Sequence, residues 1–365
     1  MATTFRTVLL LVAVSAGLPV SAARAQGLPS LTTAPAPGGP GPADQESSPA
    51  SEADLPRAPG GPPPGEPGFG GPGGPMGGPP GYDLTWYPSR PVTGQSTDLG
   101  LVRQGLRFGA PAWQDGGDRL MANLSVRNTL FSTDAVLPDT GRAFPGQLWS
   151  VNLGVNYMHQ FDNGWTGGLM AGVGSASDKP FHSIDEMTAN IGAFLRVPAA
   201  NGRDSWQFML MYAEGGAMNF PIPMASYNWN PSDQLQVNIG LPLSVVWKPT
   251  EYLDVNLSYV PLYNINARVT YRPWAGVRLY GGYEFLNESY FLADRADVND
   301  RFFVLEQRLV TGVRWDFWKI SSVEVNGGYS FGRRFGEGTS QWGSLHDQVD
   351  VRPGPFLGLR AGWRF

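Results

Sequence analysis

Apolar residues recur at every second position through most of the chain after residue 118, and this alternation restricts the fold more than any other feature. In "LWSVNLGVNYMHQF", Trp149, Val151, Leu153, Val155, Tyr157 and Phe161 fall on one side, and Ser150, Asn152, Gly154, Asn156 and Gln160 on the other. Successive side chains of an extended strand point to opposite faces, so this segment has one apolar and one polar surface. The same period separates Met187, Ala189, Ile191, Leu195 and Val197 from Thr188, Asn190 and Arg196. It separates Leu253, Val255, Leu257 and Tyr259 from Asp254, Asn256 and Ser258, and it runs through "LQVNIGLPLSVVWK" and "VEVNGGYSF".

Twelve such segments start near Leu120, Leu148, Trp165, Met187, Trp206, Leu235, Leu253, Ile265, Val277, Phe302, Val323 and Phe356. Most have close to the roughly 9–11 residues that a tilted strand needs to cross a bilayer. Residues 99–112 form either an additional strand or an inward-folded lead-in. The connections alternate in length. Tight turns such as "DNG" at Asp162–Gly164 alternate with long loops such as "STDAVLPDTGRAFPGQ", "EGGAMNFPIPMASYNWNPSDQ" and "LNESYFLADRADVND". Short turns on one side and long loops on the other characterise outer-membrane barrels. The link near Pro261–Asn264 breaks the rule.

Aromatic residues cluster at both ends of the segments. Phe161, Trp165, Trp206, Trp247, Trp274 and Trp315 lie at short-turn ends, and Trp149, Tyr212, Tyr259, Tyr283, Phe303 and Tyr329 at long-loop ends. Two aromatic belts flanking an aliphatic band suit the two headgroup regions of a bilayer. The competing reading is a soluble sandwich or lipocalin-like barrel with apolar faces turned inward. Against it, the polar faces are rich in Gly, Asn and Ser, and lysine occurs only at positions 179, 248 and 319. The expected fold is all-β: a transmembrane antiparallel up-and-down barrel of about 12 strands over residues 82–365, with strands mainly in 118–365.

The N-terminal part has another character. Arg6, the apolar run Val8–Val20 and "ARA" at Ala23–Ala25 read as a secretory signal peptide over residues 1–25. Residues 26–81 are mostly Pro, Gly, Ala and Ser, with too few apolar side chains to offset the entropy of ordering, and are expected to be a disordered linker. Glycines at 65, 68, 71, 74 and 77 keep a period of three, a run too short and too soon broken for a collagen reading. The chain has no cysteine, which excludes disulfides and thiolate metal sites, and a net charge of −5, which argues against a nucleic-acid partner. No segment after the signal has 18 consecutive apolar residues, so helical spans are excluded.

The chain resembles bacterial outer-membrane β-barrel proteins, and its signal, Pro/Gly-rich spacer and single barrel are similar to an uncharacterised, domain-of-unknown-function family among them. The closing strand carries the resemblance. Phe365, Trp363, Ala361, Leu359 and Leu357 alternate as in the C-terminal recognition signal of that class, with Trp363 where tyrosine is more usual. The resemblance implies an outer-membrane location, with the linker in the periplasm and the long loops outside. Its implied partners are the lipid bilayer and the barrel-assembly machinery, and it implies no activity and no cofactor.

Some twelve-stranded barrels are lipases that use a Ser–His pair at the rim. Here His159 is in phase with the apolar face, while His182 and His346 lie in long loops without the surroundings of that motif, so no catalytic residue is assigned and the lipase remains a third alternative. Asp294, Asp297 and Asp300 could offer oxygen ligands to calcium, although their spacing is not that of an EF-hand loop.

If the apolar face meets lipid, the polar face lines the lumen. Its basic members are Arg127, Arg196, Lys248, Arg268, Arg272, Arg278, Arg308, Arg314, Arg360 and Arg364, and its acids are Asp254, Glu284, Glu306, Asp316 and Glu324. Two functions follow. The basic excess can line a narrow porin-like channel for small, in particular anionic, solutes. Alternatively, the arginines pair with the acids and plug a structural or surface-binding barrel that acts through its loops or linker. Twelve strands would be intermediate between a filled and an open barrel. The inward glycines, among them Gly154, Gly192, Gly282 and Gly358, favour the channel, with Glu214–Gln234 as a segment that could fold in and constrict it.

Overall fold

In a computed structural model, the described residues are 80–213, 220–260, 264–317, 321–341 and 343–363. The proposed signal peptide and nearly all of the proposed linker lie outside them. Gly81, assigned above to the linker, is instead the first residue of a strand.

The described strands are β1 (Gly81–Pro91), β2 (Asp98–Asp115), β3 (Asp118–Thr133), β4 (Gln147–Gln160), β5 (Thr166–Ser177), β6 (Met187–Pro198), β7 (Ser205–Ala213), β8 (Ile222–Ser232), β9 (Leu235–Gly240), β10 (Leu243–Thr250), β11 (Leu253–Val260), β12 (Asn264–Trp274), β13 (Val277–Tyr290), β14 (Arg301–Phe317), β15 (Ser321–Gly338), β16 (His346–Val351) and β17 (Gly354–Trp363). One 3-10 turn, Ile184–Glu186, interrupts them. From β1 to β16 each strand pairs antiparallel with its sequence neighbour, β17 pairs with β15, and β1 closes the ring by pairing with β17 on one side and β2 on the other. Leu84 sits opposite Leu359 and opposite Gln104. β16 and β17 occupy one place in the wall, because both pair with β15 along a continuing register, Val351 opposite Arg333 and Gly354 opposite Ser330.

The wall therefore has sixteen places, not about twelve. β1 and β2 precede the first expected strand. β8 lies inside what the sequence suggested was a long loop, so Ile222–Ser232 is wall and not a constriction. The stretch "LQVNIGLPLSVVWK" is a hairpin and not one strand, with Val245 opposite Val237 and the turn at Leu241–Pro242. Val237 faces Val245 and Asn238 faces Ser244, so residues on one face keep the same parity on both strands and periodicity alone cannot reveal the turn. Gly240 makes the reversal possible. It has φ +133, and a Cβ there would run into the Ala225 carbonyl oxygen.

The apolar residues face outward. Leu153, Leu169, Ile191, Leu210, Leu309 and Leu357 are all exposed, as are Trp165, Trp206, Trp247, Trp274 and Trp315 near the short turns. At the long-loop ends Tyr259 and Tyr329 are exposed, but Phe303 is buried. The wall is uneven in height. β2 and β15 have 18 residues each, whereas β9, β10 and β11 have 6, 8 and 8. Eight residues at about 3.3 Å each, tilted by about 40°, rise about 20 Å, less than the roughly 25 Å apolar band of such barrels.

Candidate functional site: the lumen

The interior is divided. One half is enclosed by the tall strands β13, β14, β15, β17, β1, β2 and β3, and there the lumen is filled. Toward the long-loop end, Leu99, Leu101, Phe302 and Phe335 point inward and are almost fully buried. The β3–β4 loop turns in to meet them. Leu137 is 1% exposed, and the Phe144 ring lies 5.2 Å from Phe131, 5.2 Å from Phe335 and 5.6 Å from Phe302. The loop is tied down by Asp347, whose carboxylate accepts from the amides of Asp139 (2.8 Å) and Thr140 (2.9 Å) and from the Thr140 hydroxyl (2.8 Å). The segment that folds inward is thus 134–146.

Below this apolar plug, the polar faces meet in an ion-paired layer. Glu284 on β13 receives Arg308 from β14 at 2.5 Å and Arg268 from β12 at 3.1 Å. Glu306 accepts from the Tyr87 hydroxyl at 3.0 Å, and Arg308 donates to the same hydroxyl at 3.1 Å. Glu288 faces Arg127 at 2.6 Å and Arg103 at 3.4 Å. Glu324 accepts from Tyr280 at 2.6 Å and lies 3.4 Å from Arg360. Arg333 reaches toward Glu306 at 3.8 Å, with its guanidinium 4.4 Å from the Tyr87 ring centre. Buried charges are tolerable only when paired, and each carboxylate of this layer lies near two or more donors, although Glu306 Oε1 and the Arg333 Nε and Nη1 have no hydrogen-bond partner among the described residues.

Arg333 faces inward because of one glycine. Between Leu305 and Gln307 the register on β15 advances by an extra residue, and Gly332 at that bulge has φ +58. The bulge switches the inward phase from Ser330 to Arg333, Phe335 and Glu337.

The other half, from β6 to β12, is different. Many of its inward residues, Thr188, Asn190, Gln207, Gln236, Ser244, Asn256, Ser258 and Asn266 among them, are neutral and part-exposed, while Ser226, Asn228, Asn238 and Asp254 are buried. Met209, Met211 and Met224 add a part-exposed apolar patch on β7 and β8, with Met209 directly opposite Met224. Arg196 projects into this half and donates to the Ser205 hydroxyl at 3.0 Å; among the described residues it has no carboxylate partner. Lys248 also faces this side.

The remaining expected lumen residues point inward too. Arg272 pairs with Asp254 at 2.5 Å, and Asp316 is shared by Arg278 at 3.0 Å and Arg314 at 2.9 Å. Arg364 and Phe365 lie outside the described residues. Leu357 and Leu359 are exposed on the outer wall, with Ala361 and Trp363 in the same phase and part-buried. The three loop aspartates do not converge: Asp294 faces Arg142 at 3.1 Å, Asp297 accepts from the Asn299 amide at 2.9 Å, and Asp300 lies 3.4 Å from His346. His182 is 3.9 Å from Glu186, and His159 is 2.7 Å from Asp118.

Sequence reasoning missed Arg103, Glu288 and Arg333, and also Asp83 on β1, which lies 3.5 Å from Arg107 on β2. Glu288 was findable, since Glu284, Leu286, Glu288 and Tyr290 keep the two-residue period into a stretch read as loop.

A closed, up-and-down wall, apolar outside and polar within, defines the outer-membrane type of β-barrel. No protein-family model matches the sequence, and no curated protein is similar to it. Among solved structures, the chain is similar to the beta domain of the Bordetella autotransporter Brka, at 12% identity and TM-score 0.30 over 78% of this chain and 99% of that one. It is similar to an outer membrane channel from Pseudomonas putida F1 at 9% identity and TM-score 0.34, over 79% and 96%. It is also similar to the transport unit of the autotransporter AIDA-I from Escherichia coli at 10% identity and TM-score 0.31, over 78% and 89%.

Proposed function

We propose that the protein is an outer-membrane channel whose conducting path runs down the neutral half of the lumen, between β6 and β12, and admits small solutes. The observation that carries this reading is the contrast between the two halves. Inward side chains of the tall half are mostly buried and ion-paired, whereas the other half carries fewer charges, Arg196, Lys248 and the Arg272–Asp254 pair among them, between many neutral, part-exposed side chains. Arg196, with no carboxylate partner among the described residues, biases the path toward anions. The outer apolar band sits in the bilayer, with the short turns periplasmic, and the closing strand with Leu357 and Leu359 outward serves the assembly machinery.

Liposome swelling tests the reading. Vesicles carrying the refolded protein are expected to swell in small neutral sugars and not in large ones. No swelling with any solute contradicts it.

The filled half favours a second reading, in which the barrel is a structural platform for its long loops. A barrel that folds, reaches the outer membrane and conducts nothing is the outcome that reading requires.

A further inference from the structure

Three strand ends meet at the long-loop rim above the filled half: Asp300 just before β14, Glu337 near the end of β15 and His346 at the start of β16. The ligand atoms of these three side chains all lie within 4.8 Å of one another. The His346 Nε2 is 3.4 Å from the Asp300 Oδ2 and 4.0 Å from the Glu337 Oε2. Ligands about 2.0–2.1 Å from a tetrahedral ion are separated by about 3.4 Å, so the group is near the spacing an ion would impose.

Glu337 leaves one oxygen toward the cluster. The residue is 1% exposed, and its two oxygens have unequal surroundings. Oε1 accepts from the Arg142 guanidinium, whereas Oε2 has no hydrogen-bond donor among the described residues and only the His346 imidazole nearby. A carboxylate oxygen that faces an imidazole and a second carboxylate is placed to bind a cation between Oε2, Asp300 and His346. Arg142 leaves Oε2 free and braces the carboxylate, as outer-shell groups do around metal ligands. The half-exposed His346 leaves one side of the cluster open to water for the remaining coordination positions.

We infer that Asp300, Glu337 and His346 bind one divalent transition-metal ion of the zinc type. An imidazole between two carboxylates favours zinc or a first-row neighbour, whereas calcium and magnesium prefer all-oxygen sites. The ion would fasten the tops of β14, β15 and β16 beside the loop plug. This site is independent of the proposed channel.

The test is calorimetric titration of zinc chloride into the untagged, refolded full chain after treatment with chelator. One saturable site is expected, at least tenfold weakened in His346→Ala and in Glu337→Gln, unchanged in His182→Ala and not displaced by millimolar calcium. Cobalt substitution gives a second readout, with visible d–d absorption expected in the native chain and lost in His346→Ala. Heat-modifiable gel migration verifies that each variant is folded. The absence of saturable binding in the native chain overturns the inference, as does binding that survives His346→Ala or is lost in His182→Ala.

Discussion

Arg127 on β3 meets Glu288 on β13 at 2.6 Å, although six places in the wall separate the two strands. Neighbouring strands cannot account for such a contact, because the two side chains join opposing parts of the inner surface. Together with Arg103 on β2, which also reaches Glu288, the pair makes the tall half of the barrel a packed interior. A second cross-lumen link lies higher up, where Ser177 of β5 forms a bridge with Phe291 just beyond β13.

Removing the shared carboxylate exposes the dependence. Glu288→Ala leaves Arg103 and Arg127 buried without it, and a loss of about 3–5 kcal/mol in unfolding free energy is expected. Urea unfolding followed by heat-modifiable migration measures it. Arg127→Ala is expected to cost less, because Arg103 still pairs with Glu288. Equal, negligible effects from both variants would mean that the pair is solvated.

The aromatic contacts of the inward loop make a separate contribution. Phe144→Ala is expected to cost about 3–5 kcal/mol, the usual range for deleting a buried ring. The same variant is expected to raise conductance by loosening the plug.

Charge in the neutral half is expected to set selectivity. Arg196→Glu should move the reversal potential in a salt gradient toward cation preference. Arg314→Gln, at a residue already sharing Asp316 with Arg278, should leave it nearly unchanged. A zero shift for Arg196→Glu removes the β6 wall from the conducting path.

Stability at low pH depends on a turn. Asp204, between β6 and β7, accepts from the Asn230 amide at 2.7 Å, the Asn201 side chain at 2.7 Å and the Tyr227 hydroxyl at 2.8 Å. The Asn230 amide, followed by the Asn201 side chain, holds its carboxyl below the usual aspartate range. A lowered folded pKa contributes stability that is fully present above the unfolded value of about 3.9 and is lost as pH falls through the folded value. Melting temperatures of the native chain and Asp204→Asn should differ at pH 7 and converge below about pH 4. A gap that does not change with pH contradicts this.

The sequence disclosed the wall but not its circumference, and the reasons are physical. Outward alternation is enforced by lipid on every strand, so Leu153, Ile191 and Leu309 declared their face. The β9–β10 turn stayed hidden because its register pairs residues of the same parity, Val237 with Val245, and so keeps the phase. β8 stayed hidden because Pro221 and Pro223 read as loop, yet Pro223 sits in the wall opposite Leu210. Most inward arginines and their partners Asp254, Glu284, Asp316 and Glu324 were legible as a set. Tyr87, Arg103 and Arg333 were not, since they depend on strands or a bulge that periodicity does not mark.

Single-channel recording in planar bilayers, comparing the native barrel with a variant whose residues 136–145 are replaced by a short Gly–Ser link, tests the divided lumen most directly. The account predicts small, anion-preferring steps in the native protein and markedly larger steps in the variant. If neither conducts although both migrate as folded barrels, or if the two conduct equally, the division of the lumen into a plugged and a conducting half is wrong.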